Sequence, residues 1–192
     1  MSKKSPYFPT IDAVKAAARN LEGISNVTPL IHNKQYSSMF GCNLSFKRED
    51  LQVVRSYKIR GAYNKMLSLA SAEKQSGVVC ASAGNHAQGV ASACKKLKIV
   101  CLIVMPVTTP EIKIKAVKRF GAKIILHGDN YDQAVKEALS LSKKKKLAFV
   151  HPFDDPLTIA GQGTIGKEIL EDKNSTKKSK INAKYNLAAL YY

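Results

Sequence analysis

Residues 54–62 read VRSYKIRGA. Lys58 stands beside an aromatic ring, Tyr57, and directly ahead of a segment that carries Ile59, Tyr63, Met66, Leu67 and Ala70 on one helical face. An amine at a helix start feels the positive end of the backbone dipole. That disfavours protonation and favours nucleophilic chemistry. The competing reading is one more solvated charge on a basic chain. A second stretch, SAGNHAQG at 82–89, packs small and polar residues where an apolar run gives way to a helical pattern. Free N–H groups at a helix start suit a carboxylate or a phosphate. Two candidate sites follow, Lys58 and the loop from Ser82 to His86.

The elements that must position them can be read from periodicity. Ile11, Val14, Ala18 and Leu21 share one face of a helix, with Thr10 as its N-cap and Gly23 as its stop. NLSFK at 43–47 alternates apolar and polar residues as a strand does. VVCAS (78–82), IVCLIVM (99–105), KIILH (123–127) and LAFVH (147–151) are apolar runs. Helical segments separate them, one reaching Phe120 with Pro110 at its first position, and one from Tyr131 to Ser142. A further helix runs through AGQGTIGKEILED at 160–172. Continuous apolar strands separated by helices predict α/β architecture, a parallel twisted sheet with helices on both faces. Ligands of such sheets bind beyond the carboxyl ends of the strands, where SAGNHAQG lies.

Composition narrows the classes. The chain has 192 residues, 31 of them Lys or Arg against 14 Asp or Glu. The net charge of +17 raises a nucleic-acid hypothesis. Yet arginine is confined to positions 19, 48, 55, 60 and 119, and no aromatic residues are interleaved with a basic stripe. The bias reads as lysine-rich solvated faces. Cys42, Cys80, Cys94 and Cys101 fit neither a zinc spacing nor a disulfide framework, so no metal is expected and a reducing cytoplasm is. The longest apolar run, 99–107, is too short to span a bilayer, and the N-terminus lacks the apolar core of a signal peptide.

KREDLQVVRSYKIRGA (47–62) together with ASAGNHAQGVA (81–91) resembles the pyridoxal-phosphate enzymes of the tryptophan-synthase-β fold type, fold type II. Within that group the chain is most similar to the threonine dehydratases, or threonine ammonia-lyases. TPL (28–30), PVTTPEIKI (106–114), GDNYDQA (128–134) and HPFDDPLTIAGQGTIGKEI (151–169) occur in that family's order and spacing. The resemblance implies pyridoxal 5'-phosphate as cofactor, with Lys58 forming its Schiff base and later acting as general base. It implies Tyr57 beside the cofactor plane and Asn85 on the pyridine-ring hydroxyl. Ser82, Gly84, Asn85 and His86 would grip the substrate carboxylate. The implied reaction takes L-threonine to 2-oxobutanoate and ammonia, for isoleucine synthesis, and L-serine to pyruvate. Racemases of the group usually carry a second serine where this chain has Ala83, which favours the dehydratase reading. His86 has a structural alternative, orienting its loop by hydrogen bonds. Arg60 reads as solvated or salt-bridged, and Asp154 and Asp155 as capping or solvated residues.

The resemblance implies residues 1–48 as the first part of a large domain, 49–150 as a small α/β domain and 151–172 as the start of the large domain's continuation. From 173 to 192 the chain is a lysine-rich tail unlike the family, and no glycine-rich phosphate loop follows residue 172. The large domain is therefore expected to be incomplete, and the chain a shortened form whose activity is open. Two alternatives stand beside the enzyme reading: an inactive docking or regulatory fragment, and a basic nucleic-acid module. Neither nucleic acid nor membrane is expected as a partner; oligomeric state stays open, a homo-oligomer being one option.

Overall fold

The computed structural model describes residues 7–173. The Thr10 hydroxyl accepts the Ala13 N–H and opens α1 (Ile11–Asn20), and Gly23 follows with φ 70°. Two short strands, β1 (Leu30–His32) and β2 (Ser45–Lys47), pair antiparallel around α2 (Lys34–Phe40). After a 3-10 turn at Glu49–Leu51 comes α3 (Lys58–Leu67), then α4 (Ser71–Ser76). The remaining elements alternate: β3 (Val78–Ala81), α5 (Asn85–Leu97), β4 (Cys101–Met105), α6 (Glu111–Lys118), β5 (Lys123–Leu126), α7 (Tyr131–Lys145), β6 (Ala148–Phe149) and α8 (Pro156–Glu171). From residue 174 onward the lysine-rich tail lies outside the described residues.

The strands β5, β4, β3 and β6 form one sheet in that order, and every pairing is parallel. Period-two alternation divides the apolar side chains between two cores. Val78, Cys80, Cys101, Ile103 and Met105 pack with Met66 of α3 and with Val90 and Cys94 of α5. Val79, Ala81 and Val104 face the other way, onto Ala134, Ala138 and Leu141 of α7. Burial on both faces explains why these strands are apolar throughout. Cys80, Cys94 and Cys101 are buried free thiols and Cys42 is exposed.

Some boundaries differ from the sequence reading. Strand β4 starts at Cys101 because the Ile99 N–H closes α5 by donating to the Cys94 carbonyl. Pro110 is the N-cap of α6; the proline in the first turn of a helix is Pro156 of α8. Helix α7 runs three residues past Ser142, its end marked by Lys146 at φ 53°. Lysines in its last turn complement the negative helix end. Strand β1 and helices α2 and α4 were not anticipated, being short and only weakly periodic. No helix among the described residues is long and apolar enough to cross a membrane.

Candidate active site

Lys58 is the first residue of α3, as the sequence pattern implied. Its backbone N–H donates to Ser56 Oγ at 3.3 Å. Its side chain is partly buried, with Nζ donating to the Pro152 carbonyl at 3.0 Å and lying 5.1 Å from the centre of the Tyr57 ring. Burial lowers the amine below the ordinary lysine value, favouring the neutral, nucleophilic form. The depression comes from desolvation; a helix-dipole contribution is not needed to account for its direction.

The second candidate stretch meets the first. Helix α5 presses on Lys58 at Gly89, where an added Cβ would come 2.9 Å from the Lys58 carbonyl oxygen. One turn earlier, His86 is buried at 4% exposure, with Nε2 3.1 Å from the Val150 carbonyl. Its Nδ1 has no partner among the described residues. A carbonyl can only accept, so Nε2 carries the proton and Nδ1 presents a lone pair. Burial, with Lys58 and His151 nearby, brings the imidazole down to about 4, so it is neutral at pH 7. Lys58 and His86 thus hold carbonyls of one segment, Val150 to Pro152, between β6 and α8. That segment is stiffened by His151, whose Nδ1 accepts the N–H groups of Phe153 and Asp154.

Ser82 continues β3, its N–H donating to the Val104 carbonyl at 3.1 Å. Its hydroxyl oxygen accepts the Gly84 N–H at 3.1 Å and still has its own proton to donate. Asn85 is exposed at the first position of α5. Tyr57 lies partly buried beside the amine. Asp155 caps α8 by accepting from Leu157 and Thr158 and pairs with Lys65 at 2.8 Å. Arg60 is salt-bridged and almost fully enclosed, at 1% exposure, not solvated. Sequence reasoning did not find the Val150 and Pro152 carbonyls, because a main-chain acceptor has no side-chain signature. It also missed the residues around Arg60: Lys47, Glu49, Thr164 and Glu168. No group of three or more His, Cys, Asp or Glu among the described residues could hold a metal ion.

A parallel sheet thus carries, beyond the carboxyl ends of its strands, a partly buried lysine of lowered basicity and an unpartnered imidazole nitrogen. Comparison with known proteins specifies the class. The family described as pyridoxal-phosphate dependent enzyme matches residues 21–183, and this chain belongs to it. The biosynthetic L-threonine dehydratase of Bacillus subtilis is 51% identical over 159 residues, covering 81% of this chain and 38% of that protein. The solved processed form of threonine deaminase isoform 2 from Solanum lycopersicum is 45% identical with a TM-score of 0.76, covering 86% of this chain and 47% of that one. Maize serine racemase superposes with a TM-score of 0.85 at 30% identity, covering 95% and 58%. The fold is that of the fold-type II enzymes, and the chain spans well under two thirds of these relatives' lengths. Lyases and racemases share it, so the backbone alone does not separate them.

The site fits the cofactor of this family. A partly buried amine of lowered basicity suits condensation with an aldehyde, and an orphaned buried acceptor at His86 leaves a polar position for a ligand to satisfy.

Proposed function

We propose that this chain carries the amine-bearing part of a threonine ammonia-lyase site, acting on L-threonine to give 2-oxobutanoate and ammonia and on L-serine to give pyruvate. The observation that carries the reading is the state of Lys58: partly buried, of lowered basicity, and bonded to a carbonyl and not to a carboxylate. Lys58, Tyr57 and Asn85 hold pyridoxal phosphate. When bound, that cofactor supplies a sink for the electron pair left at the substrate α-carbon.

The chain's own groups do the rest. Neutral Lys58 Nζ accepts the α-proton as general base. The Ser82 hydroxyl, Gly84, Asn85 and His86 line the start of α5, where the substrate carboxylate meets the positive end of the helix. Ala83 offers no hydroxyl to return a proton on the opposite face, so elimination of the β-hydroxyl as water is preferred over racemisation. On this reading residues 49–150 form the small domain, and 1–48 and 151–172 belong to the large one. The buried free thiols fit a reducing cytoplasm, and the product fits isoleucine synthesis.

The test is reductive trapping. The chain is mixed with pyridoxal phosphate, reduced with borohydride and mapped by peptide mass spectrometry. One label at Lys58 is expected, absent in Lys58→Ala. L-Threonine added before reduction should lower that label, and D-threonine should not. A label at another lysine overturns the site; a label indifferent to L-threonine overturns the substrate.

A further inference from the structure

Arg60 lies two residues beyond Lys58 and has no part in the chemistry above. Its Nε and one terminal nitrogen donate to the two oxygens of Glu49, each at 2.8 Å, in a parallel fork. Its two terminal nitrogens also reach Glu168, at 2.5 and 3.0 Å. Thr164 Oγ1 at 3.0 Å and the Asn26 carbonyl at 3.2 Å complete its donors. Lys47 meets Glu168 at 2.5 Å, and the Thr28 hydroxyl donates to Glu49 at 2.6 Å. Two cations therefore face two carboxylates, and the cluster is balanced. Burial opposes the charges on Arg60 and Glu49, but their mutual bonds win. Arg60 is held above the ordinary guanidinium value and Glu49 below the ordinary carboxylate value.

A buried ion cluster is a weak source of stability, since apolar packing of the same volume often does as well; fixing a geometry is its best-attested use. Helix α3 needs such a fix. It crosses α8 at Gly61 and Gly161, where an added Cβ on Gly161 would lie 2.7 Å from both the Arg60 carbonyl oxygen and Gly61 Cα. Backbone rests on backbone there, so at this crossing the roll of α3 is held by polar side chains to either side of the glycines: Arg60 on Glu168, Asn64 donating to the Leu157 carbonyl at 2.8 Å, and Lys65 paired with Asp155 at 2.8 Å. Residues two apart on a helix point about 200° from each other, so Lys58 and Arg60 project to opposite sides. A roll of about 20° would carry a side-chain tip about 6 Å from the axis through about 2 Å. Misplacement by about 1 Å is enough to cost a reaction about a hundredfold.

We propose that Arg60, gripped by Glu49 and Glu168, is a positioning residue that sets the roll of α3 and so aims the Lys58 amine. This deepens the reading above and rests on Lys58 being the reacting group. Two variants of the full chain test it. Arg60→Lys keeps a charge but loses the planar fork. Glu168→Gln leaves the Glu49 fork in place. Each is acetylated across a pH series without cofactor, and every lysine is read by mass spectrometry, with exposed Lys136 as internal reference. Each is also trapped with pyridoxal phosphate and borohydride. The expected result is cooperative thermal unfolding, unchanged labelling of Lys136, a Lys58 profile moved up toward that of free lysine, and a trapped label on Lys58 reduced about tenfold. Folded variants whose Lys58 profile and label match the parent overturn the proposal. Loss of cooperative unfolding in both variants also overturns it, by assigning the cluster to folding. If the parent's trapped label lies elsewhere, the lyase reading fails, while a Lys58 acetylation profile that follows Arg60 still supports the positional coupling.

Discussion

Lys58 and His86 are both tied to main-chain carbonyls, and neither is tied to an opposite charge. On the proposed function, the Lys58 amine cycles between charged and neutral forms, and it strands no partner ion when it does so. Arg60, which never titrates, takes the carboxylates instead. The placement of Lys58 at a helix start was legible because an amphipathic run follows it, and that of SAGNH between a strand and a helix because an apolar run ends there. The inward turn of the His86 ring was not, since its acceptor lies 64 residues away. His86 also makes a pH prediction. Its folded value of about 4 lies below the unfolded value near 6.5, so the unfolded chain binds more protons between them. Its contribution is full above pH 6.5 and is lost as pH falls toward 4, by on the order of 3 kcal/mol. Urea midpoints of the parent and of His86→Gln should converge as pH drops from 7.5 to 4.5. A constant gap would show that the imidazole is not held neutral by burial.

At the scale of elements, three helices meet through missing side chains. A Cβ on Gly61 would lie 2.7 Å from the Thr158 carbonyl oxygen, and one on Gly89 would lie 3.0 Å from the Lys58 carbonyl carbon. Alanine is the better helix former by about 1 kcal/mol, yet overpacking against backbone costs about 1–3 kcal/mol. Gly61→Ala and Gly89→Ala should therefore each lower the urea midpoint, with Gly89→Ala also changing the acetylation rate of Lys58. Unchanged midpoints in both would mean that the helices separate freely. The strands β3 and β4 were legible because burial on both faces leaves an unbroken apolar run, and the half-buried edge strand β5 by its shorter apolar run, Ile124 to Leu126. The glycine crossings were not, because a helical glycine looks the same in sequence whether it faces a neighbour or solvent. Strand β1 and helix α2 escaped for a different reason: Ile31, Met39 and Phe40 are exposed, so burial imposes no pattern on them.

The molecule as a whole is strongly cationic, with a net charge of +17. Exposed ion pairs such as Lys115–Glu111 and Lys167–Glu171 contribute little, so screening them loses little. Screening the general self-repulsion gains more. Raising ionic strength from 0.01 to 0.3 M should lift the melting temperature by roughly 2–4 °C, equivalent to about 1 kcal/mol. A fall would place more weight on surface pairs than the structure supports. The site draws its parts from across this length. The acceptor of the Lys58 amine is 94 residues later in the chain, and Glu168 follows Arg60 by 108. At a ribosomal pace of about 5–20 residues per second, roughly 5–20 s separate translation of the lysine from translation of Pro152. For that interval the nascent polypeptide exposes an ordinary ammonium, and Lys58 acquires its lowered basicity only after the segment around Pro152 has docked.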